Sequence, residues 1–271
     1  MGQAPVGVIG GTGVYDPAWL DHAASQTVET PYGAVTVVTG TVDGAPAVFL
    51  NRHGPGHAVP PHRVNYRANL YALWRLGVRR VVATAAVGSV NQAFEPGHMV
   101  LADQFLDFTK SRVATFFEGG AGGVVHTDVS DPYCKGIRRT IRAEAETLGV
   151  RLTDGGTYVA TEGPRFESAA EIRAFRLLGG DVVGMTGVPE VVLARELGLC
   201  YATLALVTNY AAGLSGARLQ HEEVLAVMAR HAERVRLLLR ASLPKLDAAV
   251  CDCAGPPAAL DVDPNRGEMA P

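Results

Sequence analysis

The chain has 271 residues, which is enough for one α/β domain or two small ones. It is 48% hydrophobic and 19% charged, so a sizeable core is possible, and the net charge of -3 gives no reason to expect nucleic acid or a membrane surface as a partner. No apolar run approaches the roughly 20 residues that a membrane span needs, and the N-terminus lacks the basic region of a signal peptide. These features favour a cytoplasmic protein.

Strand-like apolar runs alternate with helical patterns along the chain. Runs rich in Val, Ile and Leu predict strands at residues 6–9, 34–40, 47–51, 80–87, 99–102, 182–184 and 201–208. Helical spacing predicts helices at residues 64–76, 168–178, 189–197 and about 221–243. This alternation predicts an α/β fold whose central, twisted sheet is mixed but largely parallel and is flanked by helices.

No internal repeat or linker divides the chain. Residues 1–247 are therefore predicted to form a single domain. Residues 248–271 are rich in Ala, Pro and Asp and have little periodicity, so a flexible C-terminal tail is predicted there. The glycine-rich residues 119–123 predict a flexible loop.

The four cysteines predict no metal site. Cys200 lies in an apolar run, which is typical of a buried thiol. Cys251 and Cys253 are separated by one residue, which is not zinc spacing, and no His-Cys pattern accompanies them. Two inert tail thiols are favoured over a redox pair. The chain also lacks a Walker motif, a His-Glu-x-x-His motif and a Gly-x-Ser-x-Gly elbow, so hydrolase and metalloenzyme functions have little support.

Two motifs that follow predicted strands could hold an anion. Residues 10–13, Gly-Gly-Thr-Gly, form a glycine turn in which backbone N–H groups and the Thr12 hydroxyl could contact phosphate; a plain tight turn is the alternative. Asp16 stands where a dinucleotide motif needs its third glycine. Arg52 supplies a planar fork for phosphate oxygens and His53 a neighbouring donor, unless the segment is only a solvated loop.

Other candidates also lie at strand ends. Ala85 and Ala86 are small residues that could bring backbone N–H groups near a ligand, although close helix–strand packing is the alternative. Met185 could pack against a sugar and Thr186 could donate to phosphate. Asn209 can both donate and accept, but most asparagines after strands are turn residues.

Glu167 lies a short distance upstream of Met185 and Thr186. Its carboxylate could contact a ligand, or it could simply belong to the N-cap region of the next predicted helix. No single candidate decides between a structural and a functional interpretation.

Taken together, these motifs resemble the trimeric purine nucleoside phosphorylases, and more narrowly the group that contains methylthioadenosine and methylthioinosine phosphorylases. The resemblance extends from Val6 to about Leu243. Several motifs in one order are more specific than any one of them. The matching stretches are GVIGGTG (7–13), NRHG (51–54), VNYRAN (64–69), TEGPRF (161–166) and GMTGVPE (184–190).

The resemblance implies the nucleoside phosphorylase fold and a phosphate-dependent cleavage of a purine nucleoside to free base and pentose 1-phosphate. It implies a homotrimer and no cofactor, since phosphate is a co-substrate. Met185 is expected against the pentose and Phe166 among the substrate-binding residues. By position, the phosphate-binding groups are Thr12, Arg52, His53, Thr186 and the backbone at Ala85 and Ala86.

The base site departs from the methylthioadenosine enzymes. Those enzymes carry Asp-x-Asp where this chain has Asn209-Tyr210-Ala211. An amide can donate to N7 or O6 of a 6-oxopurine, and Ala211 removes a carboxylate that would repel O6. Glu167 resembles the glutamate with which hypoxanthine/guanine enzymes accept the N1–H, which adenine lacks. Both residues therefore predict a 6-oxopurine site.

The 5′ end of the nucleoside depends on other residues. His221 resembles a histidine that donates to the 5′-hydroxyl in inosine/guanosine phosphorylases, where methylthio-specific enzymes tend to be apolar; an ordinary helix N-terminal histidine is the alternative. His126 and the Phe116-Phe117 region match segments that reach across a subunit interface in the family. A neighbouring chain is therefore expected near the 5′ end.

The leading hypothesis is a 6-oxopurine nucleoside phosphorylase in which Asn209, Glu167 and His221 carry catalysis and specificity. An S-methyl-5′-thioinosine or methylthioadenosine phosphorylase is the first alternative. A catalytically silent nucleoside-binding homologue is the second, although a binder of nucleoside alone does not need the phosphate residues Arg52, His53 and Thr186.

Overall fold

The computed structural model describes residues 3–11, 14, 19–119, 123–215, 219–253 and 255. In this part of the chain, eleven strands form one sheet, against which five α-helices pack. The strands are β1 (Val6–Gly10), β2 (Asp21–Val28), β3 (Val35–Val42), β4 (Ala45–Asn51), β5 (Arg80–Ser89), β6 (Met99–Leu101), β7 (Gln104–Phe108), β8 (Leu152–Asp154), β9 (Thr157–Thr161), β10 (Val182–Gly184) and β11 (Cys200–Tyr210). The helices are α1 (Tyr66–Arg75), α2 (Lys135–Thr147), α3 (Ala169–Leu177), α4 (Gly187–Glu196) and α5 (His221–Leu246).

The sheet is organised around β5. Its order is β2-β3-β4-β1-β5-β10-β9-β7, while β11 pairs with the opposite edge of β5 and leads to β6 and β8. Strands β4, β1, β5 and β11 are parallel to one another, whereas β10 is antiparallel to β5. The predicted α/β fold with a mixed, largely parallel sheet is confirmed.

One edge of β5 changes partner along its length. Strand β1 pairs with it as far as Ala83, and β10 pairs with it only at Gly88 and Ser89. Between these two partners, no strand in the described part of the chain pairs with residues 84–87 on this edge. Backbone groups on such an edge need another partner, and ligands of open α/β sheets bind where neighbouring strands separate. This gap positions the candidate site.

Helices cover both faces of the sheet. Leu73 of α1 and Val191 of α4 are fully buried in one hydrophobic cluster, and Ile141 of α2 and Leu239 of α5 are fully buried in another. Each such side chain stabilises the fold by roughly 1.5–3 kcal/mol relative to an exposed one. The strands are therefore packed between two layers of helices. None of the described helices combines the length and the apolar character that a membrane crossing requires.

The four predicted helices and seven predicted strands are present, with ends that differ by a few residues. Four strands and one helix were not predicted: β2, β7, β8, β9 and α2. They share a short length or a polar surface, which weakens hydrophobic periodicity.

The C-terminal segment differs from the expected free tail where it is described. Arg80 donates to the carbonyl oxygen of Ala249 at 3.0 Å, and Arg139 donates to that of Val250 at 2.6 Å. Ala249 and Val250 are therefore hydrogen-bonded to the body of the protein through their carbonyl oxygens. Residues 254 and 256–271 lie outside the described part of the chain, as do residues 120–122 of the predicted flexible loop.

Candidate active site

A cavity of about 370 Å³ lies beside the gap in the β5 edge. Strands β4, β5 and β11 end at this cavity, and β10 approaches it from the opposite direction, because β10 is antiparallel to β5. Most of the residues predicted from the sequence to form the site line its wall. They are Arg52, His53, Ala85, Ala86, Phe166, Glu167, Met185, Thr186, Asn209 and Ala211. Residues from distant parts of the chain are thus brought together in one cavity wall.

Three predicted residues are not placed in the wall. Thr12 lies outside the described residues, and so does the side chain of His221, although α5 begins at that residue. His126 is exposed and does not line the cavity. Phe116 and Phe117 are buried in a hydrophobic cluster of their own chain.

Arg52 is held in the wall by a buried ion pair with Glu190 of α4. Its Nε donates to Glu190 Oε2 and its Nη2 to Oε1, both at 2.7 Å, while Nη1 donates to the carbonyl oxygen of Thr84 at 2.9 Å. The Tyr201 hydroxyl donates to Glu190 Oε1 at 2.6 Å. Bidentate pairing fixes the plane of a guanidinium. Of its five N–H groups, one on Nη1 and one on Nη2 remain for an anion in the cavity.

The ion pair also fixes the charge of Arg52. Burial opposes a charged guanidinium here, but the Glu190 carboxylate outweighs burial and raises the pKa of Arg52 above its ordinary value. Arg52 and Glu190 together carry no net charge. In the ligand-free protein, the buried Arg52 charge is therefore compensated by Glu190. When an anion binds, the remaining N–H groups of Arg52 are already oriented to donate to it.

His53 is buried as a neutral ring. Its Nδ1 lies 2.8 Å from the carbonyl oxygen of Val59, which can only accept, so Nδ1 carries the proton. Burial, and then the neighbouring charge of Arg52, lower the pKa of His53 to about 4. At neutral pH the remaining nitrogen, Nε2, carries a lone pair. It can accept a hydrogen bond from a protonated phosphate oxygen.

The lowered pKa of His53 predicts that the protein loses stability as pH falls. The unfolded ring binds a proton near pH 6.5, but the folded ring does so only near pH 4. The unfolded state therefore binds more protons in this window. The contribution of the neutral His53 ring to the free energy of unfolding is fully present above about pH 6.5. As pH falls toward 4, the free energy of unfolding decreases by at most about 3 kcal/mol on this account. Urea unfolding of the phosphate-free protein across this range measures it.

A matched pair of variants isolates the His53 contribution. His53→Gln is expected to lose stability less steeply than the wild type as pH falls through this window. His126→Gln removes an exposed ring and is expected to keep the wild-type slope. Parallel curves for His53→Gln and wild type would contradict the neutral, buried state of this ring.

The start of α4 faces the cavity through Thr186. The Tyr158 hydroxyl accepts from the backbone N–H groups of Thr186 at 3.4 Å and Gly187 at 3.3 Å. The Thr186 side chain, which is buried, makes no capping hydrogen bond to the helix. Its hydroxyl lies at the cavity that Thr186 lines, within hydrogen-bond reach of the Tyr158 hydroxyl, and can donate to a ligand there. A helix N-terminus also favours a negative charge.

Gly11, directly after β1, approaches the same place. The backbone N–H of Gly11 donates to Thr84 Oγ1 at 2.8 Å. A Cβ atom at Gly11 would lie 2.3 Å from the carbonyl oxygen of Thr84 and 2.9 Å from Arg52 Nη1. Only glycine permits this approach, which seats Gly11 against β5 and Arg52.

Glu167 is a buried carboxylate of the cavity wall, with 9% of its surface exposed. The Thr161 hydroxyl donates to its Oε1 at 2.6 Å. Helix α3 begins with a capping box made by Ser168 and Glu171. Glu167 is therefore not needed to cap that helix, and its carboxylate can accept from a ligand.

Asn209 is turned into the cavity wall by a β-bulge. Strand β11 pairs Val207 with Val87 and Asn209 with Gly88, so Thr208 is the extra residue. The Thr208 hydroxyl donates to Asn209 Oδ1 at 2.8 Å, and Asn209 Nδ2 donates to the carbonyl oxygen of Tyr210 at 2.9 Å. These bonds fix the amide. One N–H and one lone pair remain for a base.

Comparison with known proteins identifies the family. The family model described as the phosphorylase superfamily matches residues 5–244. The chain belongs to the phosphorylase superfamily. The resemblance to purine nucleoside phosphorylases that the sequence motifs carry is thereby confirmed.

Several members of the superfamily are similar over most of their length. A protein of Moorella thermoacetica named probable 6-oxopurine nucleoside phosphorylase is 54% identical over 239 residues, covering 88% of this chain and 92% of that protein. One of Methanopyrus kandleri, named probable S-methyl-5′-thioinosine phosphorylase, is 53% identical over 224 residues, covering 82% and 85%. The structure of a methylthioadenosine phosphorylase from Schistosoma mansoni in complex with adenine has a TM-score of 0.87 at 33% identity, covering 92% of this chain and 93% of that one.

Supporting residues of this phosphorylase-superfamily site were missed by the sequence reasoning. Glu190, Tyr158, Thr161 and Thr208 each make a hydrogen bond that positions a predicted residue or its backbone. Glu190 had a detectable signal, because a carboxylate that is flanked by apolar residues on both sides needs a partner once it is buried. The hydroxyl groups had none, since their role depends on which strands become neighbours.

Proposed function

We propose that the chain is a pentosyltransferase of 6-oxopurine nucleosides: it cleaves inosine- and guanosine-type nucleosides with phosphate to free base and pentose 1-phosphate. The observation that carries the proposal is that Glu167, Asn209 and Ala211 line the same cavity as the predicted phosphate-binding residues Arg52, His53, Ala85, Ala86 and Thr186. The names of the most similar relatives support the same substrate class.

The base preference follows from hydrogen-bond matching. A 6-oxopurine presents an N1–H donor, which the Glu167 carboxylate accepts. It also presents acceptors at O6 and N7, toward which the remaining N–H of Asn209 donates. Adenine has a lone pair at N1 and an amino group at C6, so it would leave Glu167 facing a lone pair. Because a buried polar group without a partner costs about 1–3 kcal/mol, the mismatch discriminates between the bases.

The reaction needs phosphate aligned with C1′. Arg52, His53, Thr186 and the β5 backbone hold the anion in place, which removes the entropic cost of bringing it to the sugar. A phosphate oxygen then bonds to C1′ while the bond from C1′ to N9 breaks. The electron pair of the broken bond moves to the purine, which takes up a proton. Asn209 stabilises the negative charge that develops on the purine.

A panel of nucleosides tests the proposal. Phosphate-dependent release of base is measured for inosine, guanosine, adenosine and their 5′-methylthio forms. Inosine and guanosine types are expected to have a kcat/KM about 100-fold or more above the matching adenosine types. A preference for adenosine types would overturn the base assignment. Base binding without any phosphate effect would instead indicate a silent homologue.

S-methyl-5′-thioinosine is the second candidate substrate, because one of the most similar relatives is named for it. The two substrates share a base and differ at the 5′ group. The ratio of their kcat/KM values decides between them. If His221 donates to the 5′-hydroxyl, His221→Ala lowers kcat/KM for inosine more than for the methylthio substrate. Equal losses would remove His221 from the 5′ site.

The homotrimer also belongs to the proposal. It is carried by the resemblance of the motifs to trimeric phosphorylases, and the exposed His126 is the residue proposed to approach a neighbouring active site. Sedimentation equilibrium is expected to give three times the chain mass, and a monomer would contradict it.

A further inference from the structure

The four cysteines come from three separate parts of the chain and lie together in the structure. Cys134 is the N-cap of α2, Cys200 is the first residue of β11, and Cys251 and Cys253 follow α5. All four Sγ atoms lie within 4.8 Å of one another. None of them lines the candidate active site. This thiol cluster therefore needs its own explanation.

The spacing of the sulfur atoms suits a metal ion. Cys200 Sγ and Cys251 Sγ are 3.5 Å apart, which is well beyond the roughly 2.05 Å of a disulfide bond. Four thiolates around Zn²⁺, each about 2.3 Å from the metal, form a tetrahedron with edges of about 3.8 Å. We propose that Cys134, Cys200, Cys251 and Cys253 bind one Zn²⁺ ion.

The donor set specifies the metal and its role. Soft thiolates in a tetrahedral arrangement select zinc over hard cations such as Mg²⁺ or Ca²⁺. Four protein ligands leave no open position for a substrate or water, which is typical of a structural site. Zinc binding replaces the thiol protons: four neutral thiols and Zn²⁺ give a site of charge -2 and four released protons.

The surroundings stabilise negative charge on the cluster. The backbone N–H of Ile137 in the first turn of α2 donates to Cys134 Sγ at 3.5 Å, and a helix N-terminus favours a thiolate. The Arg139 guanidinium donates to the carbonyl oxygen of Val250, next to Cys251. A helix N-terminus thus lies at one ligand, and a guanidinium contacts the residue that precedes another.

The packing also holds the C-terminal ligands in place before metal binds. A Cβ atom at Gly136 would lie 2.6 Å from the carbonyl oxygen of Val250 and 3.1 Å from Cys251 Cβ. The segment therefore lies directly on the start of α2. The sequence favoured inert tail thiols because Cys251 and Cys253 lack a zinc motif of their own. Their partners are supplied by α2 and β11.

Metal content and geometry test the proposal directly. The untagged full-length chain is purified under a phosphine reductant without chelator, and its zinc is measured by mass spectrometry alongside thiol titration in denaturant. About one zinc ion per chain is expected. Replacement by Co²⁺ is expected to give the thiolate-to-cobalt charge-transfer band and the intense visible bands of a tetrahedral site. Removing the metal is expected to lower the thermal midpoint by several degrees.

A matched pair of variants separates ligation from folding. Cys253→Ser removes one ligand at the end of the described chain and is expected to lose the zinc and the cobalt charge-transfer band while keeping the wild-type circular dichroism spectrum. Asp252→Asn changes the exposed residue between two ligands and is expected to retain both.

Three results would overturn the zinc site. One is a fully reduced protein that takes up neither zinc nor cobalt. Another is a protein that carries its four cysteines as two disulfides when isolated. The third is full zinc occupancy in Cys253→Ser.

Discussion

Asn209→Ala is expected to lower kcat for inosine phosphorolysis by about 100- to 1000-fold. The amide is held by Thr208 and the Tyr210 carbonyl, so its remaining N–H is already aimed when charge develops on the leaving purine. Removing one such preorganised donor typically costs this much in kcat. Steady-state kinetics with saturating phosphate measure the effect.

The control for Asn209 is a second hydrogen-bonded asparagine. Asn91 donates to Asp181 at 2.9 Å and does not line the cavity. Asn91→Ala is expected to keep kcat within a few-fold of wild type. A similar loss in both variants would show that general destabilisation, not a missing donor, explains Asn209→Ala.

Asn209→Asp is expected to shift the ratio of kcat/KM values toward adenosine over inosine. A protonated aspartate still donates to the base, whereas a charged aspartate repels O6 of a 6-oxopurine.

Glu190→Ala is expected to lower the free energy of unfolding by about 3–5 kcal/mol, since it leaves the Arg52 charge buried without a partner. It also removes the acceptor of the Tyr201 hydroxyl. Arg52 and Glu190 are 3% and 0% exposed, so water cannot replace the lost carboxylate without local rearrangement. Urea unfolding monitored by circular dichroism measures the loss. The phosphate KM is expected to rise because the guanidinium is no longer oriented.

Helix α4 offers a control for Glu190 in a second buried glutamate. Glu196 is 4% exposed and accepts from the Thr115 hydroxyl and the Phe116 backbone at 2.7 Å each, with no arginine among these partners. Glu196→Ala is expected to cost about 1–3 kcal/mol and to leave the phosphate KM unchanged. The double variant Arg52→Ala/Glu190→Ala is expected to recover part of the stability. A Glu190→Ala loss no larger than that of Glu196→Ala would contradict the role of the ion pair.

The buried parallel strands were predictable because burial on both faces makes each of them a continuous apolar run, as in β1, β5 and β11. Strand β2 was not, because seven of its eight residues are exposed and only pairing with β3 makes it a strand. Helix α2 buries a narrow stripe containing Ile137, Ile141 and Ala145, which is too sparse to stand out in a charged segment.

The candidate site was predictable to the extent that it follows strand ends. The carboxyl ends of parallel strands meet at one edge, so Arg52 and Asn209 could be placed together from the pattern alone. The partner of Arg52 could not, since Glu190 is 138 residues away in the chain and reaches it only through the packing of α4. The thiol cluster was missed for the same reason: three separate elements supply its members.

Among the described residues, no strand pairs with residues 84–87 of β5 on the edge that β1 and β10 share. Under the proposed function, an anion bound there would be held in part by peptide N–H groups, which a side-chain substitution does not delete. The proposed base contacts, Glu167 and Asn209, are instead side chains that line the cavity, and a substitution can change them. The proposed function thus assigns part of phosphate binding to the backbone and base recognition to side chains. Such a division would let proteins named for different purine nucleosides share one fold.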